Sequence, residues 1–316
     1  MKKKSLGIFM SLALFLIFAL PHTASAKVIW NGAELKKGQI GLLTIVKQTE
    51  LYQLNGDTKK ITRKLNPGEV YRIYTFLPGK LGVGGGYYVD RDDRIKYQTP
   101  SKAKLQALGV KITNNKYQGL FDYPQVSNLI SQTAQNQINE TIKKHIRASY
   151  NAYLQNEADE AEWRQEYLDE YGSISKDEEY MFNYEYTVSY QVKYNENNQL
   201  SILITDYMYT GGAHGMAGVT SYNFDALTGQ RIYLGNVAKT STGLSKIKKY
   251  AITDLTNRAN RGDDMIFTDY LNEITIDNNR PFYYTPTGIS IIFGEYEVGA
   301  YAAGMPEVKL PYKVFQ

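Results

Sequence analysis

The sequence predicts an α+β fold: a small all-β unit at the N-terminus, followed by an α+β domain with a mainly antiparallel sheet and packed helices. Three observations carry this. Short runs of β-branched and aromatic residues, separated by turn signals, fill residues 28–96. Apolar residues recur every four positions from Ile130 to Ile146, and a two-residue alternation runs from Asn183 to Tyr194.

The chain opens on Lys2-Lys3-Lys4, an apolar run from Leu6 to Leu20, the breaker Pro21 and the small-x-small site Ala24-Ser25-Ala26. That pattern predicts a secretory signal peptide over residues 1–26, cut before Lys27. The apolar run is short for a membrane span, and no later segment approaches the required length. The expectation is a secreted protein outside the cytoplasm, with the cell wall as a place of association and no membrane-spanning segment. The sequence holds 0 Cys, so no disulfide supports the fold. Without the three leader lysines the formal charge falls from +4 to +1, which gives no argument for nucleic acid. The remaining length suits two domains, 27–109 and 110–316. Tyrosine is abundant, 28 against 11 Phe, and its apolar face with one polar tip suits exposed sheets and recognition surfaces.

In the first unit, Ile40–Val46, Thr49–Leu54, Val70–Leu77 and Gly86–Asp90 read as strands, with turns at Asn55-Gly56-Asp57, Asn66-Pro67-Gly68 and Pro78-Gly79. The glycines of Leu81–Val89 lack the Lys-Ser/Thr and the following helix of a phosphate loop, and read as a turn before a strand. From Thr99-Pro100 to Gly109 a short helix connects the units, with Pro100 as its first residue. The second unit begins with a strand at Val110. Ser127 caps a helix whose face carries Ile130, Ala134, Ile138, Ile142 and Ile146, with His145 one position off that stripe. Acids from Glu157 to Glu170 continue it as a solvated face, and Gly172 ends it. In "NYEYTVSYQVKY" Tyr184, Tyr186, Val188, Tyr190, Val192 and Tyr194 share one face of a strand. Leu200–Tyr209, Val219–Phe224 and Arg231–Leu234 continue a meander, and a helix follows near Leu244–Ala259. Phe282–Thr285, Gly288–Phe293 and "EVKLPY" close the chain as strands.

The stretch "DYMYTGGAHGMAG" (Asp206–Gly218) places His214 among four glycines. Two functions compete for it: shaping a loop whose backbone needs glycine, or contacting a ligand. A Ser–His–Asp triad using His214 is a third, although no serine sits in a nucleophile elbow. With no Cys, no H-E-x-x-H and no paired histidines, the sequence predicts neither metal nor cofactor and no enzymatic activity. A second loop, Gly294–Pro306, is also rich in glycine and aromatics, and apolar surface of that kind favours contact over mere turning. The candidate ligand-binding residues are therefore Tyr209, His214 and Met216 in the first loop and Tyr296, Tyr301 and Met305 in the second, with both loops at one edge of the sheet.

The motifs "YTGGAHGM" (Tyr209–Met216), "SYNFDALTGQRIYL" (Ser221–Leu234) and "FYYTPTGISIIFGEYEVGAYAAGMPEVKLPY" (Phe282–Tyr312), in that order, resemble the DUF3298 family. "YPQVSNLISQTAQNQINETIKK" (Tyr123–Lys144) is similar to the DUF4163 region that accompanies it, and residues before Gly109 resemble a small SH3-like β-domain of secreted Bacillus proteins. The family includes the extracellular part of the anti-sigma-V factor, a lysozyme receptor, and the non-catalytic region of a peptidoglycan deacetylase. The resemblance implies a non-catalytic binding module at the envelope, whose ligand is a protein such as a lysozyme-like muramidase. The alternatives are a peptidoglycan or wall-polymer binder, with Tyr71, Tyr74, Tyr87 and Tyr88 lining a groove in the first unit, and a hydrolase using His214. The oligomeric state is not legible in the sequence.

Overall fold

The computed structural model describes residues 28–56, 58–262 and 265–315. The signal peptide expected over 1–26 lies outside the described residues.

A short hairpin, β1 (Ile29–Trp30) and β2 (Ala33–Glu34), precedes β3 (Gly41–Ile45), β4 (Thr49–Asn55), β5 (Thr58–Leu65) and β6 (Val70–Ile73). Then come β7 (Thr75–Leu77), β8 (Lys80–Gly84), β9 (Tyr87–Asp90) and β10 (Ile95–Gln98). They form two antiparallel sheets, ordered β10-β3-β6 and β5-β4-β9-β8-β7. The two sheets enclose one core of Leu43, Ile45, Leu65, Ile73, Leu81, Val89 and Ile95. The glycine run of Leu81–Val89 is the β8–β9 turn: Gly84, Gly85 and Gly86 all have positive φ, and the Tyr74 ring lies against Gly84.

The connecting helix α1 (Lys102–Ala107) begins at Lys102 and not at Pro100 as expected, because Ser101 takes the cap and its Oγ accepts from Lys104 N at 3.3 Å. Buried Gln106 fastens this helix to the second domain. Its Nε2 donates to Ala226 O at 2.9 Å and its Oε1 accepts from Ile130 N at 2.8 Å. Asn195 completes the attachment, accepting from Val110 N at 2.7 Å and donating to Val110 O at 2.8 Å.

The second domain opens on a hairpin, β11 (Lys111–Tyr117) and β12 (Phe121–Ser127). Ser127 thus ends a strand, and the helix cap is Ser131, whose Oγ accepts from Ala134 N at 3.1 Å. Ile130 consequently precedes the helix and is exposed, which corrects the start of the apolar stripe. Helix α2 runs unbroken over Gln132–Tyr171 and ends at Gly172, φ 78°. Ala134, Ile138, Ile142 and Ile146 are fully buried, while Glu157, Asp159, Glu162, Glu166, Asp169 and Glu170 face solvent.

The main sheet is β13 (Glu185–Glu196), β14 (Gln199–Tyr209), β15 (Met216–Asp225) and β16 (Arg231–Ile232), in that order and antiparallel. Leu200, Ile202, Ile204, Tyr222 and Phe224 share a core with the apolar stripe of α2. The tyrosine alternation of β13 does not persist to its end. A register shift between Val192 and Tyr194 puts Tyr194 opposite Ser201, so its ring packs on Tyr284 across the other face.

Helices α3 (Leu234–Ala238) and α4 (Ser241–Arg261) follow, then β17 (Phe282–Thr285), β18 (Gly288–Ile292) and β19 (Glu307–Pro311). Ile247, Ala251 and Leu255 of α4 form a second core with Ile289, Ile291, Val308 and Leu310. Strand β17 pairs only with β18, so its other edge would bury unpaired backbone groups. Side chains of the main sheet satisfy them. Phe282 N donates to Ser221 Oγ at 3.1 Å, Tyr284 N to Ser201 Oγ at 3.0 Å, and Phe282 O accepts from Asn223 Nδ2 at 2.8 Å. Ser201 in turn donates to Asn223 Oδ1 at 2.6 Å.

Asn223→Leu leaves Phe282 O and Ser201 buried without their partner, and is expected to lower stability by about 2–4 kcal/mol. Urea unfolding monitored by tryptophan fluorescence checks this; an unchanged midpoint would show that these bonds add nothing.

Candidate binding site

The site is built where two loops leave the sheet edge. Strands β14 and β15 are joined through residues 210–215, and Gly215 is required there by space. A Cβ on it would lie 2.5 Å from both Met208 O and the Tyr207 ring. The second loop, Gly294–Pro306, is anchored by an ion pair. Arg280, whose side chain is 9% exposed, meets Glu297 in a bidentate contact, Nη1–Oε2 2.7 Å and Nη2–Oε1 2.5 Å. Glu297 also accepts from Gly294 N at 2.9 Å, which closes the first turn of the loop. Backbone bonds from Phe267 N to Val298 O (2.8 Å) and from Ala300 N to Met265 O (3.0 Å) hold its middle. A direct tie joins the loops: Ala217 N donates to Glu295 Oε2 at 2.9 Å.

The two loops therefore adjoin, and three of the six candidate residues come together. The His214 ring stacks on Tyr301, centroids 3.8 Å apart and 15° between planes. His214 Nδ1 lies 2.9 Å from Gly215 O, and Nε2 lies 2.9 Å from the Tyr296 hydroxyl. A carbonyl only accepts, so Nδ1 carries the proton and Nε2 of the neutral ring accepts from Tyr296. Tyr301 is half-buried against this ring and is not sealed in the core. Its phenol is raised above the usual range by desolvation and by the charge of Glu295.

Tyr296 is 46% exposed and has φ 62°, a left-handed conformation that bulky residues rarely adopt. Backbone strain of this kind costs on the order of 1–3 kcal/mol and persists only where the surrounding structure enforces it. Tyr209 is turned inward on its own loop, donating to Gly212 O at 2.9 Å. Met216 is exposed and pairs in register with Met208, on the opposite face of the ribbon from Tyr207. Met305 packs in the small core with Leu203, Tyr283 and Ile292. Met216 and Met305 thus stand apart from the His214 cluster, because strand alternation directs one to the other face and the other inward.

A second constellation escapes the sequence. On the α2 face of β14, Asp206 Oδ2 lies 2.9 Å from His145 Nε2, and Oδ1 accepts from Ser149 Oγ at 2.5 Å and from Tyr186 at 3.0 Å. His145 Nδ1 lies 2.9 Å from the Tyr222 hydroxyl. The residue types are those of a triad, but the order is wrong: Asp206 stands between Ser149 and His145, and Ser149 is buried. This is a clamp between helix and sheet. Burial raises the Asp206 carboxyl, yet bonds from His145, Ser149 and Tyr186 outweigh it and hold the group below the ordinary range. Burial and Asp206 push the Tyr186 phenol up to about 12. The signal available in the sequence was parity, since Asp206 continues the inward series Ile202, Ile204.

Among the described residues no group of three or more His, Cys, Asp or Glu is placed to hold a metal ion, and no helix is long and apolar enough to cross a membrane.

Comparison with known proteins divides the second domain between two family models. Residues 110–217 match the model described as deacetylase PdaC, and residues 236–313 match the model described as a protein of unknown function, DUF3298. No curated protein matches. Among solved structures, the chain is similar to a DUF3298 family member from Bacteroides fragilis, at TM-score 0.46 and 16% identity, over 65% of this chain and 89% of that one. It is also similar to a DUF3298 family protein from Pseudomonas aeruginosa, at TM-score 0.37 and 17% identity, over 66% and 92% of the two chains.

Asp206→Asn is expected to cost about 2–3 kcal/mol at neutral pH, since an amide cannot accept from all three partners. The folded carboxyl titrates below its unfolded value, so its contribution is present above about pH 4 and is lost as pH falls through the folded value. Denaturant unfolding of both proteins from about pH 6 to pH 3 should show the gap closing. A gap independent of pH would contradict the clamp.

Proposed function

We propose that this chain is a secreted, envelope-associated binding protein without catalytic activity, and that it recognises a protein ligand such as a lysozyme-like muramidase through His214, Tyr296 and Tyr301. The observation that carries this is Tyr296, a bulky ring kept exposed in a left-handed backbone conformation and aimed at His214 by a hydrogen bond. Three aromatic rings fixed in advance lose little entropy on contact, which is how anchors at interfaces work. Both nitrogens of His214 are engaged by loop groups, an arrangement suited to presenting a ring and not to activating a serine. The exposed acids of α2, Glu157 to Glu170, supply a field that draws in a basic partner. Envelope association draws on the matches to the PdaC and DUF3298 models, and secretion on the leader pattern.

Wall-polymer recognition by the first unit has less support. Tyr71 donates to Glu69, Tyr74 lies against Gly84 and Tyr88 packs near Tyr52, so these rings are used within the unit itself.

Calorimetry of the full chain with egg-white lysozyme at low and moderate salt tests the reading, with sedimentation on purified sacculi alongside. Tyr301→Ala should weaken the complex by ~1–3 kcal/mol. Tyr296→Gly should weaken it as well while leaving stability unchanged or up to about 1 kcal/mol higher, because the backbone strain is released. Absence of heat with lysozyme, together with sedimentation on sacculi, would replace the protein ligand with a wall polymer.

A further inference from the structure

The cleft between the two domains lies apart from both clusters above. It has a volume of about 470 Å³, within the range of small-molecule sites, and sits at a domain boundary where such sites gather. Ile40 comes from the first unit, Leu105 from α1, Leu108 from the cap that ends it, and Val110 and Leu129 from the second domain, and together they give it an apolar floor. Lys37, Lys102 and Lys111 also line it and are exposed at its rim. No Asp or Glu is among the lining residues, and among the described residues none of these lysines has an ion-pair partner.

We propose that this cleft binds a single-chain anionic lipid, with its alkyl chain on the floor and its head group among Lys37, Lys102 and Lys111. Charge complementarity selects the head group. The state of the wall selects the chain. Of the polar side chains lining the cleft, Gln106 is engaged on Ala226 and Ile130, Asn195 on Val110, and Gln39 on Gly41 and Lys36, which leaves Ser127 and Asn128 beside the apolar floor. A peptide would bring backbone N–H and C=O groups into a floor that cannot pair them, whereas an alkyl chain brings none. Three lysines from three separate segments meet only when the domains are docked, so occupancy would also strengthen the attachment that Gln106 and Asn195 make.

Titration of the full chain with dodecyl phosphate below its micelle concentration, followed by calorimetry and by amide chemical shifts, tests this. The expected result is saturable binding at one site, with shifts confined to residues 37–40, 102–111 and 127–129. The combined substitution Lys37→Gln, Lys102→Gln and Lys111→Gln should weaken it at least about tenfold, as loss of charged contacts would. Those lysines are exposed, so folding is not at risk, and Leu108→Gln supplies an independent test of the floor by weakening binding while the lysines remain. Equal affinity for uncharged dodecyl maltoside would overturn the role of the lysines. Equal affinity for inorganic phosphate would overturn the role of the floor. Absence of saturation, or shifts centred elsewhere, would overturn the site.

Discussion

Strand β17 presents a hydrogen-bonding edge that no strand covers, and Ser201, Ser221 and Asn223 of the main sheet cover it with side chains. An unpaired edge is ordinarily a liability, either wet or prone to pairing with another chain. Here it becomes the joint between two sheets. The bonds are buried and directional, so they fix β17 in one position along the main sheet, which apolar packing alone would leave free to slide. Everything distal follows from that register. Arg280 precedes β17 and holds Glu297, Glu297 closes the second loop, and Glu295 of that loop reaches Ala217 of the first.

Strand β14 is consequently clamped on both faces. Ser201 and its partners bind the β17 side, and Asp206 binds His145 and Ser149 on the α2 side. The loop that leaves this strand is carried on a rigid support, and rigidity is what a recognition surface needs. The stacked pair His214–Tyr301 and the strained Tyr296 are then held open to solvent. In an isolated loop such rings would collapse on one another or bury themselves, since exposed apolar surface is unfavourable.

Much of this architecture was legible. The four-residue stripe gave α2, the turn signals gave the β-unit, and glycine with aromatic content singled out both loops. The departures share a physical cause, competition between local patterns and contacts distant in sequence. Ser131 outcompetes Ser127 as a cap because residues 121–127 are drawn into a hairpin with 111–117. The shift after Val192 breaks a regular alternation so that Tyr194 can reach Tyr284 in the other core. Met305 read as contact surface because it lies in a loop rich in glycine and aromatics, but packing against Leu203 and Tyr283 claims it. Partners 61 residues apart, His145 and Asp206, have no local signature beyond the parity of one strand.

The central claim is that the two loops act as one binding surface. Hydrogen exchange of the full chain, followed by mass spectrometry with and without egg-white lysozyme, tests it most directly. The account predicts that amides of residues 210–217 and 294–303 are slowed together in the complex, while the sheet cores exchange as before. Protection confined to the first unit, or to one loop with the other unchanged, would contradict it.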